Sequence, residues 1–158
     1  MIAFEPPEYA DLVHQGNELM EQKQYRDAVA KYAQAIQVSP SSTAAIYDMG
    51  LALDKLCDPQ AEQFYRIAAN MGDSNASYNL AYWYYRFNHK ANALRYFRHH
   101  LRIADEDNHT HYAQQMVKEL ELLLPNTLEI IWRNPLSQWR WPSEQRSGQL
   151  NLVSYYRV

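Results

Sequence analysis

Six histidines are the residues of this chain best suited to binding a metal ion. Imidazole is a common ligand for zinc, copper and nickel, and the close pairs are His99-His100 and His109-x-His111. Adjacent residues on a helix point about 100° apart, so His99 and His100 are poorly placed to share one ion. The sequence has no cysteine pair and no H-E-x-x-H motif to complete such a site. We therefore predict no metal site and no cofactor, with histidines that are solvated or cap helices.

Familiar catalytic motifs are missing from the sequence. It contains no G-x-S-x-G, no P-loop and no dinucleotide-binding glycine pattern. The single cysteine, Cys57, has no identifiable base beside it, and we interpret it as inert packing at a helix end. We predict that the protein is not an enzyme.

Charge is unevenly distributed along a chain whose formal net charge is -3. Residues 1–85 hold 11 acidic and 5 basic side chains, whereas residues 86–104 hold 5 basic and no acidic ones. Arg95, Arg98 and Arg102 form a stripe at helical spacing, which we interpret as a solvated face. Contact with an acidic partner, or with the acidic end of a second copy, is the alternative. The overall balance does not predict a nucleic-acid partner.

Three internal repeats organise the chain. In each unit a small residue precedes an Ala-x3-aromatic motif by 11 or 12 positions, and the units recur every 31 to 34 residues. The sets are Gly16 with Ala28 and Tyr32, Gly50 with Ala61 and Tyr65, and Ala81 with Ala93 and Phe97. Two antiparallel helices approach closely only where a small side chain receives a large ring. The repeats therefore predict three helical hairpins, each closed by one such contact.

Prolines and short polar clusters mark where these helices start and stop. The marks fall at Pro7, at 39–40, at 58–59 and at 72–74. We expect helices near 8–22, 25–38, 42–56, 60–71, 74–87 and 90–104. A seventh near 108–124, with Tyr112, Met116, Leu120 and Leu123 at helical spacing, would cap the last hairpin.

The repeats resemble the tetratricopeptide repeat (TPR) family, whose motif is W-x2-L-G-x2-Y, then A-x3-F, then P. The first unit carries Leu12-x2-Gln15-Gly16-x2-Leu19, Ala28-x3-Tyr32 and Pro40. The join at 67–76, between the second and third units, is two residues tighter than the first join and is similar to that of Sel-like repeats. The resemblance implies an all-α solenoid of three TPR-like hairpins and a capping helix over 8–124, followed by an irregular, tryptophan-rich C-terminal tail at 125–158.

The tail holds three of the four tryptophans, namely Trp132, Trp139 and Trp141. Rings of this size rarely stay in water, so we predict that the tail docks through them on its own repeats. The alternative is an arm that binds a partner or exchanges with a second copy, which would make a homo-oligomer.

The resemblance also implies where a partner would bind. In a TPR superhelix the first helix of each hairpin lines the concave face. The matching positions are Val13, Asn17 and Met20 in the first unit, Tyr47, Leu51 and Asp54 in the second, and Tyr78, Tyr82, Tyr85 and Arg86 in the third. Tyrosine offers apolar area with a hydroxyl at its edge, which suits a peptide segment. We predict an adaptor or chaperone that holds a peptide in this groove; the alternative is a self-assembling structural protein whose tail fills its own or a neighbour's groove.

Two specialised TPR groups serve as comparisons for the partner. One grips the C-terminal carboxylate of heat-shock chaperones with lysine, asparagine, asparagine, lysine and arginine. The matching positions here are Val13, Asn17, Asp48, Asn75 and Asn79, so the cations are absent and that partner is not expected. The architecture is also similar to the type III secretion class II chaperones of bacteria, a third interpretation.

The compartment follows from two further features. Residues 1–7 lack the charged segment and apolar run of a signal peptide, and the lone cysteine suits a reducing environment. No stretch of the sequence approaches the roughly 20 apolar residues that span a bilayer. We therefore expect a cytoplasmic protein without a membrane partner.

Overall fold

The computed structural model describes residues 6–105 and 109–124. These residues form seven α-helices and no strand, which confirms the all-α prediction. The helices are α1 Pro7–Glu21, α2 Tyr25–Val38, α3 Thr43–Lys55, α4 Ala61–Asn70, α5 Ser74–Arg86, α6 Lys90–Ile103 and α7 Thr110–Leu123. Each end lies within two residues of its predicted position. The tail contacts predicted for Trp132, Trp139 and Trp141 lie outside the described residues.

The small residues of the repeats allow paired helices to approach closely. A Cβ atom added to Gly50 would lie 2.8 Å from Cδ1 of Tyr65, and one added to Gly16 would overlap the ring of Tyr32. Because both rings are almost completely buried, neither can move aside cheaply. The predicted contact of small residue and ring is therefore confirmed in these two hairpins. In the third hairpin the matching residues, Ala81 and Phe97, are also fully buried.

Each hairpin turn contains a residue in the left-handed region of backbone space. Lys23, Cys57 and Asn88 have φ angles of 61°, 57° and 60°. In each turn the following N–H donates to a carbonyl five residues earlier: Gln24 to Leu19 at 2.8 Å, Asp58 to Leu53 at 2.9 Å, and His89 to Tyr84 at 2.8 Å. This is the Schellman arrangement that ends helices. Cys57 is exposed in its turn, so the expectation that it is packing was wrong.

The two ends of the solenoid differ from its middle. Three positions that are buried in the second unit, at Ala45, Met49 and Ala52, are exposed and polar in the first, where no helix within residues 6–105 and 109–124 covers them. The first-unit residues are Asp11, Gln15 and Glu18. Each helix packs on the next one along the chain, as a solenoid requires.

At the other end, α7 covers the last hairpin. Met116 and Leu120 are buried there, as predicted, and Tyr112 is half-buried. Leu123 is 51% exposed, contrary to its place in the predicted apolar stripe, because α7 ends at this residue. None of the described helices is long and apolar enough to cross a membrane.

Candidate functional site

Side chains of α3 and α5 are joined by hydrogen bonds between the two helices. Asn79 Nδ2 donates to the hydroxyl of Tyr47 at 2.9 Å, and Arg86 Nη2 donates to Asp54 Oδ1 at 2.5 Å. Because α3 and α5 are the first helices of consecutive hairpins, these bonds bring predicted binding residues of two repeats onto one surface.

We call this surface the odd-helix face. We define it by the ten predicted binding residues of α1, α3 and α5, together with Asp48 of α3, Asn79 of α5 and Asp73, which caps the start of α5. The hydrogen bonds between first helices join α3 to α5. Tyr82 is the most accessible aromatic residue of the face, with 41% of its surface exposed. Tyr47, Leu51 and Tyr85 are half-buried and pack partly against the core.

The residues from α1 are held by packing within the first hairpin. Val13 and Met20 are half-buried against the core, and Asn17 is exposed. The Asn17 Oδ1 atom accepts a hydrogen bond of 2.7 Å from the hydroxyl of Tyr32 on α2. This bond fixes the orientation of the Asn17 amide, with its NH2 group directed away from Tyr32.

Tyr78 lies in a cluster of rings where α5, α6 and α7 meet. Its ring stacks on His109 with centroids 4.2 Å apart, and it contacts Phe97 edge-on at 5.9 Å and Tyr112 at 6.1 Å. Tyr78 is therefore half-buried and joins α5 to α7. Sequence analysis missed His109 and Tyr112 as its neighbours. The order of the helices could have indicated these neighbours. Because α7 follows the third hairpin, it takes the position that the first helix of a fourth hairpin would have, next to α5 and α6.

The histidines do not behave alike. His100 is fully buried with Nδ1 2.9 Å from the Ser74 carbonyl oxygen, so the expectation of a solvated or capping histidine was wrong for it. His99 Nδ1 lies 2.9 Å from Ser77 Oγ. Burial, followed by the charges of nearby arginines, lowers the pKa of His99. Within 6–105 and 109–124, no group of three or more His, Cys, Asp or Glu side chains could hold a metal ion.

The arginine stripe of α6 is partly used inside the protein. Arg98 Nη2 lies 2.6 Å from Glu121 Oε1 on α7, and Arg95 lies over the Tyr96 ring at 5.7 Å. The interpretation as a solvated face was therefore wrong for Arg98, while Arg102 is exposed as expected.

Asp48 is the side chain of the odd-helix face whose charge is least compensated. It is half-buried, and burial, followed by the charge of Asp73, raises its pKa to about 6. Within the described residues, no hydrogen bond or ion pair joins Asp48 to a neighbour. Burial also raises the pKa of Tyr47 to about 12, with a further contribution from Asp73. The middle of the face is therefore able to attract a cation.

Comparison with known proteins relates one part of the chain to a family. The family profile described as TPR repeat matches residues 16–56, which run from Gly16 in α1 through α2 and α3. This part of the chain is therefore similar to a TPR repeat. No curated protein matches the sequence of the chain. The Sel-like character of the join at 67–76 stays a prediction.

Solved TPR structures share the fold of this chain at low sequence identity. The first TPR domain of Spaghetti (RPAP3), bound to an HSP90 peptide, is 15% identical, has a TM-score of 0.66 and covers 80% of this chain and 100% of its own. The Sgt2 TPR domain of Aspergillus fumigatus is 15% identical, with a TM-score of 0.65 and coverage of 94% and 95%.

A third structure comes from a secretion system. The Yersinia enterocolitica type III secretion chaperone SycD, in complex with a peptide of the translocator YopD, is 12% identical, has a TM-score of 0.66 and covers 72% of this chain and 92% of its own. At these identities the three likenesses establish the TPR solenoid fold.

Proposed function

We propose that this chain is a non-catalytic interaction module, an adaptor or chaperone, that holds a peptide segment on the odd-helix face. The binding domain is residues 8–124. The observation that carries the proposal is the joined surface of α3 and α5, in which two cross-helix hydrogen bonds fix the side chains around an exposed Tyr82.

The physical basis is pre-organisation. A surface whose side chains are already held in place loses little conformational entropy when a ligand binds. Tyr47 is held by Asn79, and Arg86 is held by Asp54, so the polar groups of the face are ordered in advance. Tyr82, with its exposed ring, offers apolar area for a peptide side chain.

The structural relatives support the same function. The Spaghetti domain is described with an HSP90 peptide and SycD with a YopD peptide, so the same fold holds peptides in both. The secretion-chaperone interpretation is a special case of the proposal, supported by the likeness to SycD.

Site-specific photo-crosslinking tests the proposal. The full chain is produced in cells with p-benzoylphenylalanine in place of Tyr82, or in place of Leu122 as a control. Leu122 is an exposed apolar residue of α7, 83% accessible, that is not part of the odd-helix face. After irradiation, adducts are digested and the attached peptide is identified by mass spectrometry.

We expect position 82 to give an adduct with a segment of another protein, and position 122 to give a much lower yield. Equal yields at the two positions would contradict a specific site at Tyr82. Adducts confined to residues 125–158 would favour the self-assembling alternative, and mixing heavy and light isotope-labelled chains would separate an internal tail from one supplied by a second copy.

A further inference from the structure

The charges of the odd-helix face favour one kind of peptide. Asp48, Asp54 and Asp73 contribute three carboxylates, and Arg86 contributes the one cation of the face as defined by its described residues. Arg86 is already paired with Asp54 at 2.5 Å. Asp73 accepts the N–H of Ala76 at 2.8 Å as the N-cap of α5. This leaves Asp48 as the carboxylate that a ligand could neutralise.

The surroundings of Asp48 come from three helices. Tyr32 of α2 and Tyr47 of α3 are close enough for the charge of Asp48 to raise the pKa of both, and Asp73 at the start of α5 opposes its ionisation. None of these groups supplies positive charge. Charge complementarity therefore selects a cationic ligand group at this position.

Apolar surface lies on the same face as the carboxylate. The partly exposed side chains of Tyr47 and Leu51 lie on the same helix, and Leu51 is one helical turn from Tyr47. Tyr82 adds its exposed ring from α5. Lysine and arginine side chains match such an arrangement because an aliphatic stem carries the charge.

We propose that the odd-helix face binds a peptide segment that places a lysine or arginine side chain at Asp48, with neighbouring apolar side chains against Leu51 and Tyr82. This inference rests on the proposed function and adds the chemical class of the ligand. The face selects against an acidic C-terminal segment, because Val13, Asn75 and Asn79 stand where the carboxylate-gripping TPR group has its cations.

A peptide selection tests the inference. Random 12-residue peptides displayed on phage are selected on the full chain, and in parallel on the full-length variants Asp48→Asn, Tyr82→Ala and Asp11→Asn. Asp11 is an exposed carboxylate of α1, outside the face, so its variant is the matched control for the loss of one negative charge. Synthetic copies of the enriched peptides are then titrated against each protein.

Peptides enriched on the native chain should contain more lysine and arginine than the starting library, next to aromatic or aliphatic residues. Their affinity should fall about tenfold in Asp48→Asn, the effect of one charge-assisted hydrogen bond, and remain unchanged in Asp11→Asn. Binding to the native chain should also weaken as the pH falls from 7.5 to 5 and Asp48 becomes protonated. Asp48→Asn should remove most of this pH dependence.

Two results would overturn the inference in different ways. Peptides that require Tyr82 but show no excess of lysine or arginine, or that bind Asp48→Asn unchanged, would reject the cation at Asp48 and leave peptide binding intact. A selection that yields no peptide dependent on either Asp48 or Tyr82 would reject both the inference and the proposed function.

Discussion

Asp48 holds a carboxylate in a half-buried position beside a second carboxylate, and this arrangement affects stability as well as binding. Because the pKa of Asp48 rises to about 6 in the folded chain from its ordinary value of 3.8, the folded state binds a proton more tightly than the unfolded state. The stabilising effect of protonation is fully present below pH 3.8 and is lost as the pH rises through 6. At neutral pH the ionised side chain therefore destabilises the fold.

Asp48→Asn should raise the free energy of unfolding at pH 7 by about 1 kcal/mol, a value that allows for partial solvent screening. The gain should disappear at pH 4, where the native aspartate is already protonated in the folded state. Urea unfolding of both proteins at the two pH values measures the difference. Asp11→Asn, which replaces an exposed carboxylate, should show no such pH-dependent gain in stability. An Asp48→Asn variant that is less stable than the native chain at pH 7 would contradict the raised pKa of Asp48.

Single residues also show what the sequence could reveal. Gly16 and Gly50 were identifiable because their spacing to an aromatic residue repeats, and packing requires that pair. In the sequence, Asp48 was notable only because it stands where the carboxylate-gripping TPR group has an asparagine. Its raised pKa depends on burial and on Asp73, 25 positions away in the sequence, and a linear pattern contains neither.

In the hairpin turns, residues other than glycine adopt a backbone conformation that favours glycine. Lys23, Cys57 and Asn88 all adopt positive φ, the region where glycine carries no steric penalty. Among the described turns, glycine has this role only at Gly72, between α4 and α5. The sequence thus predicted where the hairpins turn, but without glycine it did not predict the left-handed residue.

Lys23→Gly should stabilise the protein by about 0.5 to 1 kcal/mol, because it relieves the left-handed strain at the end of α1. Lys31→Gly, in the middle of α2, should instead destabilise by about 1 kcal/mol, since glycine is a poor helix former. Thermal unfolding followed by circular dichroism compares the two variants with the native chain. If both substitutions lower the melting temperature equally, the positive φ of Lys23 carries no strain.

Helix bounds were the most predictable elements, because prolines, caps and the small-residue contacts all act within a few residues of the chain. Side-chain partners between helices were less predictable. Arg86 was expected to face a ligand, yet it pairs with Asp54, 32 positions earlier. Tyr78 was expected in the groove, and it also packs on His109, the residue just before the capping helix α7. Such contacts depend on how neighbouring hairpins are rotated, which the repeat pattern does not specify.

At the scale of the whole solenoid, residues 6–105 and 109–124 form a linear stack in which each helix packs on its chain neighbours. Stability in such a solenoid is close to a sum of local contributions and interfaces between neighbours, so a defect at one end need not spread to the other. The first described unit exposes polar residues where the second buries apolar ones, so its outer side contributes no such interface within the described residues.

Leu120→Ala provides a test at this scale. Leu120 is fully buried in α7, and its truncation should cost about 2 to 5 kcal/mol locally. Because α7 packs on α6, amide hydrogen exchange measured by mass spectrometry should accelerate in α6 and α7 and remain unchanged in α1 and α2. Leu12→Ala, at the other end, should accelerate exchange in α1 and α2 only. Equal acceleration of exchange along the chain in either variant would mean that the repeats unfold as one cooperative unit. A peptide held on α3 and α5 would then stabilise every helix equally, rather than only the helices nearest to it.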